Sequence, residues 1–453
     1  MASSAAVTVR APVLHAPAQD HLQFLPDALI EVGADGRIER VAAAETADLT
    51  RPTTVLPRGR VLVPGFVDLH VHAPQWPQLG TALDVPLERW LQEYTFPLEA
   101  SYRDEAFAAR VWDELVPGLL AEGTTTAVYY ATVHRAATRS LAEACVRHGQ
   151  RAFVGRVAMD HPDATPPDYR DASAAAGIEA SAASIEDVRT VDAGRGLVRP
   201  VITPRFAPAC TDALLSGLGD LAAATGALVQ THCSESDWHH GYAIERFGRR
   251  DLEALAEFGL VRPHTVLAHA TKLPDEDLDA VARSGACIAH CPLSNVSFGN
   301  GVFPARRALA RGVRVGLGTD IAGGAHSSVL RNAAMALDVS RLLDDGVHGA
   351  PGERGGVAGS RLDATTAFWL ATRGGAEAVG LDVGCFEPGR PFDAVALDLT
   401  SLPTPTVDRD HADLDAELLA ERIVRLAGAR NVETVWVAGR CVRSAGSSVP
   451  SGR

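Results

Sequence analysis

A (β/α)8 TIM-type barrel with a small β-sandwich domain formed from both chain ends is the α/β architecture this sequence predicts, on three observations. Eight apolar runs recur through the middle of the chain, at 66–70, 124–130, 152–158, 200–203, 228–232, 265–269, 287–290 and 313–318, each with a helical stretch after it. That is the pattern of parallel strands joined by crossover helices. Short strand-like runs punctuated by Gly and Pro lie at both ends, at 7–9, 28–32, 38–41 and 60–63 and again at 392–397 and 433–442. Isolated hairpins are marginal in water, so the two sets should pair with each other. The length, 453 residues, suits one large core plus an appendage. The implied division is 1–63 with 385–453 for the small domain and 64–384 for the barrel.

The connections are punctuated accordingly. Pro274, Asp275, Glu276 and Asp277 open one helix, and Arg283 with Gly285 closes it. Residues 161–200 read as a Pro-rich loop followed by an Ala-rich helix, 346–360 as a Gly-rich loop and 444–453 as a disordered tail.

Composition narrows the partners. With 46% hydrophobic and 22% charged residues, the chain can bury a sizeable core. A formal charge of −14 repels polyphosphate and anionic lipid, which argues for a small-molecule substrate and against nucleic acid or membrane. No apolar run is long enough to span a bilayer, and the opening Met1-Ala2-Ser3-Ser4 lacks a secretion pattern, so a cytoplasmic enzyme is expected. Seven cysteines without a CxxC pair read as reduced thiols, mostly small core residues.

Barrels of this kind carry their chemistry at the C-terminal ends of the strands, and metal-ligand residue types accumulate there. The first strand ends His70-Val71-His72, the fifth at His232, the sixth at His269, the seventh at His290, and Asp320 follows the eighth. Residues two apart on a strand share a face, so His70 and His72 can both aim into the barrel mouth while Val71 points outward. Three imidazoles and a carboxylate with one position left for water suit a catalytic zinc ion. Such an ion lowers the pKa of a bound water towards about 7, so metal-assisted hydrolysis is the expected chemistry. Glu235, three residues past His232, can carry a proton to the substrate, and Asp320 can both bind metal and accept a proton. His269 is either a metal ligand or a residue behind one, and His290 is either that or a core histidine. His239, His240, His326 and His348 are expected to be exposed, and Cys233 should face away from the metal.

These strings resemble the amidohydrolase superfamily: Pro64 through His72, Thr203-Pro204-Arg205-Phe206, Thr231-His232-Cys233-Ser234-Glu235, Ala268-His269, Ala289-His290-Cys291-Pro292 and Gly318-Thr319-Asp320. Within it, Ala73-Pro74-Gln75, Leu91 through Pro97, Arg151 through Gly155 and Thr319 through Gly324 are similar to the guanine deaminase family. The resemblance implies one zinc ion per chain on His70, His72, His232 and Asp320, with proton transfer by Glu235 and Asp320 and participation of His269. It implies a purine, guanine, contacted by His72, Gln75, Arg205, Phe206, His232, Glu235 and Asp320, with water as co-substrate and a homodimer as the assembly. Binuclear members bridge their metals with a lysine at the end of the fourth strand; here that strand ends Thr203-Pro204-Arg205, and the only lysine is Lys272. Pro74, Trp76 and Ala270 depart from the family pattern, which bears on pocket shape and not on the metal.

The residues agree with this transfer. Arg205 can donate to a purine O6, Gln75 can donate and accept, and Phe206 can stack on the ring. The competing readings are a deaminase or chlorohydrolase acting on a triazine, pterin or cytosine ring, and a catalytically inactive scaffold on the same barrel. The other zinc deaminase signature, HxE with PCxxC, is absent from the sequence.

Overall fold

In the computed structural model, which describes residues 7–44, 53–347, 355–403 and 415–444, eight parallel strands stand side by side in chain order. They are Phe66–His72, Thr124–Tyr130, Arg151–Gly155, Val198–Pro204, Leu228–Cys233, Val266–His269, Cys287–His290 and Arg314–Leu317, with a short piece, Val157–Ala158, also pairing with the fourth. The ring comes together between its last and first members, where Asp320 N donates to His70 O at 2.8 Å and His72 N donates to Ile321 O at 3.2 Å. Every residue of the first strand is buried, as expected when helices cover a parallel sheet on its outer side and side chains fill its interior.

The helices form where their ends are satisfied. Thr211 Oγ1 accepts from Leu214 N to start Asp212–Thr225, and Gly226 ends it at φ 65°. Asp275–Ser284 has three acidic residues in its first turn and stops at Gly285, φ 72°, which complements the helix dipole and satisfies the last carbonyls. The Ala-rich helix is present as Ala174–Asp192, capped by Ser173.

Strands from both chain ends hydrogen-bond into one eight-stranded mixed sheet, joined where Ala394–Asp398 runs antiparallel to Arg60–Pro64. Two end strands are longer than expected: Val7–Ala18 and His21–Val32 are 12 residues each. Pro12 looks like a strand breaker, yet it sits where the register slips between Ala11 and Val13, and a bulge is where a strand tolerates a residue without an N–H. The run 433–442 is two strands, Val432–Val437 and Arg440–Ser444. Between them Ala438 and Gly439 both have positive φ, 46° and 74°, the signature of a tight two-residue hairpin turn. Part of the Gly-rich loop (348–354) and the tail beyond Ser444 lie outside the described residues.

Candidate active site

The C-terminal ends of the strands converge on four buried side chains, His70, His72, His232 and Asp320, each offering a ligand atom within 4.8 Å of the others. Parallel register puts His232 opposite Ala268 and Cys233 opposite His269, so the fifth and sixth strands deliver their histidines to the same level. Asp320 Oδ1 lies 3.1 Å from His70 Nε2 and 3.5 Å from His72 Nε2. The Nε2 atoms of His72 and His232 are 3.0 Å apart. His232 Nδ1 is 2.6 Å from the Arg205 carbonyl; donation there assigns the proton to Nδ1 and turns the Nε2 lone pair towards the cluster.

This donor set fits a divalent cation. Burial, then the other positive groups nearby, His269 and Arg205 among them, hold His70 and His232 well below the usual imidazole range. Burial and the neighbouring histidines do the same to His72. The three imidazoles are therefore neutral and can offer lone pairs. His70 is fully buried, yet neither ring nitrogen has a hydrogen-bond partner. An unsatisfied buried polar group costs about 1–3 kcal/mol, which a metal bond at Nε2 would remove.

Beneath the cluster, Asp68 accepts from Thr319 N at 2.9 Å, Thr319 Oγ1 at 2.5 Å and His70 N at 3.2 Å. That ties the loop carrying Asp320 to the strand carrying His70. Burial pushes Asp68 up to about 7, against these hydrogen bonds.

Glu235 lies in the turn after the fifth strand, where Ser234 has φ 43°. Burial, then the Asp320 carboxylate, push Glu235 up to about 8, which favours the protonated side chain. Asn300 Nδ2 donates to Glu235 Oε1 at 3.1 Å, and Thr271 Oγ1 donates to the Glu235 carbonyl at 2.6 Å. His269 Nε2 faces both carboxylates, 3.7 Å from Glu235 Oε1 and 3.8 Å from Asp320 Oδ2. Its Nδ1 is 2.9 Å from Asn295 Oδ1, and donation there leaves Nε2 as the acceptor.

Beside the cluster opens a cleft lined by His72, Gln75, Arg205, Phe206, His232, Glu235 and Asp320. Of its apolar side, Leu87, Trp90, Leu91 and Phe298, only Leu91 falls in a segment singled out in the sequence. These residues come from two connecting segments whose approach to the barrel mouth no local pattern reveals. A planar heterocycle has apolar wall, stacking surface and polar edge groups together here.

All the site residues read from the sequence meet at this mouth. His290 does not line the cleft; its ring packs on Phe303 at 5.4 Å, and burial pushes its imidazole down to about 3. His239, expected to be exposed, is fully buried, with Nε2 3.2 Å from Asp251 Oδ2. Which side of the helix Asp237–Phe247 faces the barrel depends on the next helix, so adjacent His239 and His240 look alike in sequence. Glu99, Asp68, Asn295 and Asn300 were also missed. Two of them had a signal: Asp68 stands inside the string Pro64 through His72, and Glu99 two residues beyond Pro97.

Residues 61–442 match the amidohydrolase family. The chain is 32% identical to the guanine deaminase of Dictyostelium discoideum, covering 95% of this chain and 97% of that protein. It is also 32% identical to the guanine deaminase of Mus musculus, covering 98% of each. The crystal structure of guanine deaminase from C. acetobutylicum, with guanine bound in its active site, superposes with a TM-score of 0.85 at 28% identity, covering 97% of this chain and 100% of that one. The family match places the chain in the amidohydrolase family, and 32% identity over nearly its whole length, with the superposition, places it within that family among the guanine deaminases.

Proposed function

We propose that this chain hydrolyses guanine to xanthine and ammonia, using one zinc ion held by His70, His72, His232 and Asp320. The observation that carries the reading is the juxtaposition of that cluster of three histidines and a carboxylate with a buried Glu235, its carboxyl held well above the usual range, and a cleft with an apolar wall and polar edge groups. When bound, zinc would acidify a water so that it gives up its proton readily at neutral pH.

Everything else falls to the chain. Phe206 and the apolar wall hold the ring, Arg205 donates to O6, and Gln75 pins the adjoining edge. Asp320, which lines the cleft, accepts the water's proton as the new C–O bond forms at C2. Glu235 donates its proton to N3 in the same step. Collapse of the tetrahedral carbon expels the 2-amino group, which leaves as ammonia after receiving a proton from Asp320, while the C2 hydroxyl returns its proton to Glu235 and becomes the carbonyl. His269 Nε2 accepts a hydrogen bond from whichever carboxyl carries the proton. All seven cysteines are free and six are buried, in keeping with a reducing, cytoplasmic setting. No helix among the described residues is long and apolar enough to cross a membrane.

The test is ultraviolet assay of purified, metal-loaded protein with guanine: xanthine appears, and a triazine or cytosine is turned over far more slowly. His70→Ala removes one ligand and should abolish both bound zinc and turnover; metal analysis that finds the variant fully loaded and active refutes the site.

A further inference from the structure

The segment Leu91 to Pro97 stands out in the sequence without an evident role, and it leads into the back wall of the cleft. Arg205 stacks its guanidinium over Phe96, 4.9 Å from the ring centre. Three residues on, Glu99 is fully buried. Its carboxylate accepts from Arg205 at 2.5 and 3.1 Å, from Gln75 Nε2 at 2.8 Å and from the Tyr169 hydroxyl at 2.8 Å. Gln75 Oε1 in turn accepts from Ala322 N at 2.8 Å, so the amide is held at both ends and cannot flip. A guanidinium has five N–H donors; with Glu99 on one edge, the others are left for the cleft that Arg205 lines.

We propose that Glu99 is a positioning residue that orients Gln75 and Arg205 and, by cancelling the charge of Arg205, sets the purine pocket to hold a neutral ring and release an anionic one. The proposal rests on guanine being the substrate. Hydrolysis replaces the 2-amino group by a carbonyl, so the product is an imide and a stronger acid than the substrate. An uncompensated guanidinium would retain its monoanion. The other charged or titratable groups facing Arg205 are Tyr130, Tyr169, Glu235, Asp320, His70, His72 and His232, and a comparison of two ligands at one pH leaves their state unchanged.

The experiment uses full-length, zinc-loaded wild type and Glu99→Gln, at a pH where xanthine is largely ionised and hypoxanthine largely neutral, as read from their ultraviolet spectra. Misplaced donors should lower guanine kcat/KM in Glu99→Gln by about 100-fold. Inhibition by xanthine should tighten relative to hypoxanthine by about tenfold, the effect of one unbalanced charge at hydrogen-bond range. Mere loosening of the pocket would weaken both inhibitors alike. Glu99→Asp keeps the charge at shorter reach, so it should lose turnover while keeping the wild-type inhibitor ratio. An unchanged ratio in Glu99→Gln overturns the proposal. Where Glu99→Gln fails to fold by circular dichroism, Glu99→Gln/Arg205→Met, which removes both charges, should fold and bind zinc; its failure also overturns the proposal. Absence of guanine turnover by the wild type refutes the substrate reading instead.

Discussion

Glu235→Gln should lower kcat on guanine by about 100- to 10,000-fold, the usual contribution of a general acid–base group, while zinc content stays at the wild-type level. Glutamine keeps the size of the side chain and its contact with Asn300 but has no proton to give to N3. The four residues assigned to the metal are untouched, so metal analysis separates loss of chemistry from loss of the site. The pH profile follows from the same group. Glu235 acts in its protonated form and sits near 8, so wild-type activity falls as pH rises through that value. A bound cation favours the carboxylate and draws the limb lower. The residual activity of Glu235→Gln should lack this limb, and a loss below about threefold would reduce Glu235 to an ordinary helix-end carboxylate.

Adenine should be turned over at least about 10,000-fold less efficiently than guanine, the discrimination reached when a site built for hydrogen bonds meets an analogue that lacks them. Adenine places an amino donor where guanine has O6, so Arg205 would face a second donor in a buried pocket. It also carries hydrogen at C2 and its amine at C6, which puts the leaving group away from the reacting water in the same pose. Arg205→Ala should weaken guanine turnover strongly without rescuing adenine, since the geometry still blocks it. The variant also strands Glu99 as a buried, unbalanced carboxylate, and breaking a buried pair costs about 3–5 kcal/mol, so its thermal stability should fall as well. The measurement is kcat/KM for both purines on wild type and variant; adenine within about tenfold of guanine for the wild type would sink the guanine reading.

The barrel and its cluster of histidines and a carboxylate were legible because both are written in local periodicity. Each parallel strand is a short apolar run, and a ligand-type residue at its C-terminal end must reach the barrel mouth once the strands lie in order. His70 and His72 share a face because strand side chains alternate. His232, His269 and Asp320 follow from their places at strand ends. The end strands were read less completely: prolines were taken as breakers, whereas the register shift at Pro12 shows a bulge absorbing one. The partners of the polar site residues were not legible at all. Glu99 is 24 residues from Gln75 and 106 from Arg205, Asp68 is 251 from Thr319, and buried His239 is indistinguishable in sequence from half-exposed His240. Periodicity determines which way a side chain points from its own element. Only tertiary packing decides what it meets there, because the cost of burying Arg205 or Glu235 is offset by groups on distant segments that share no pattern with it.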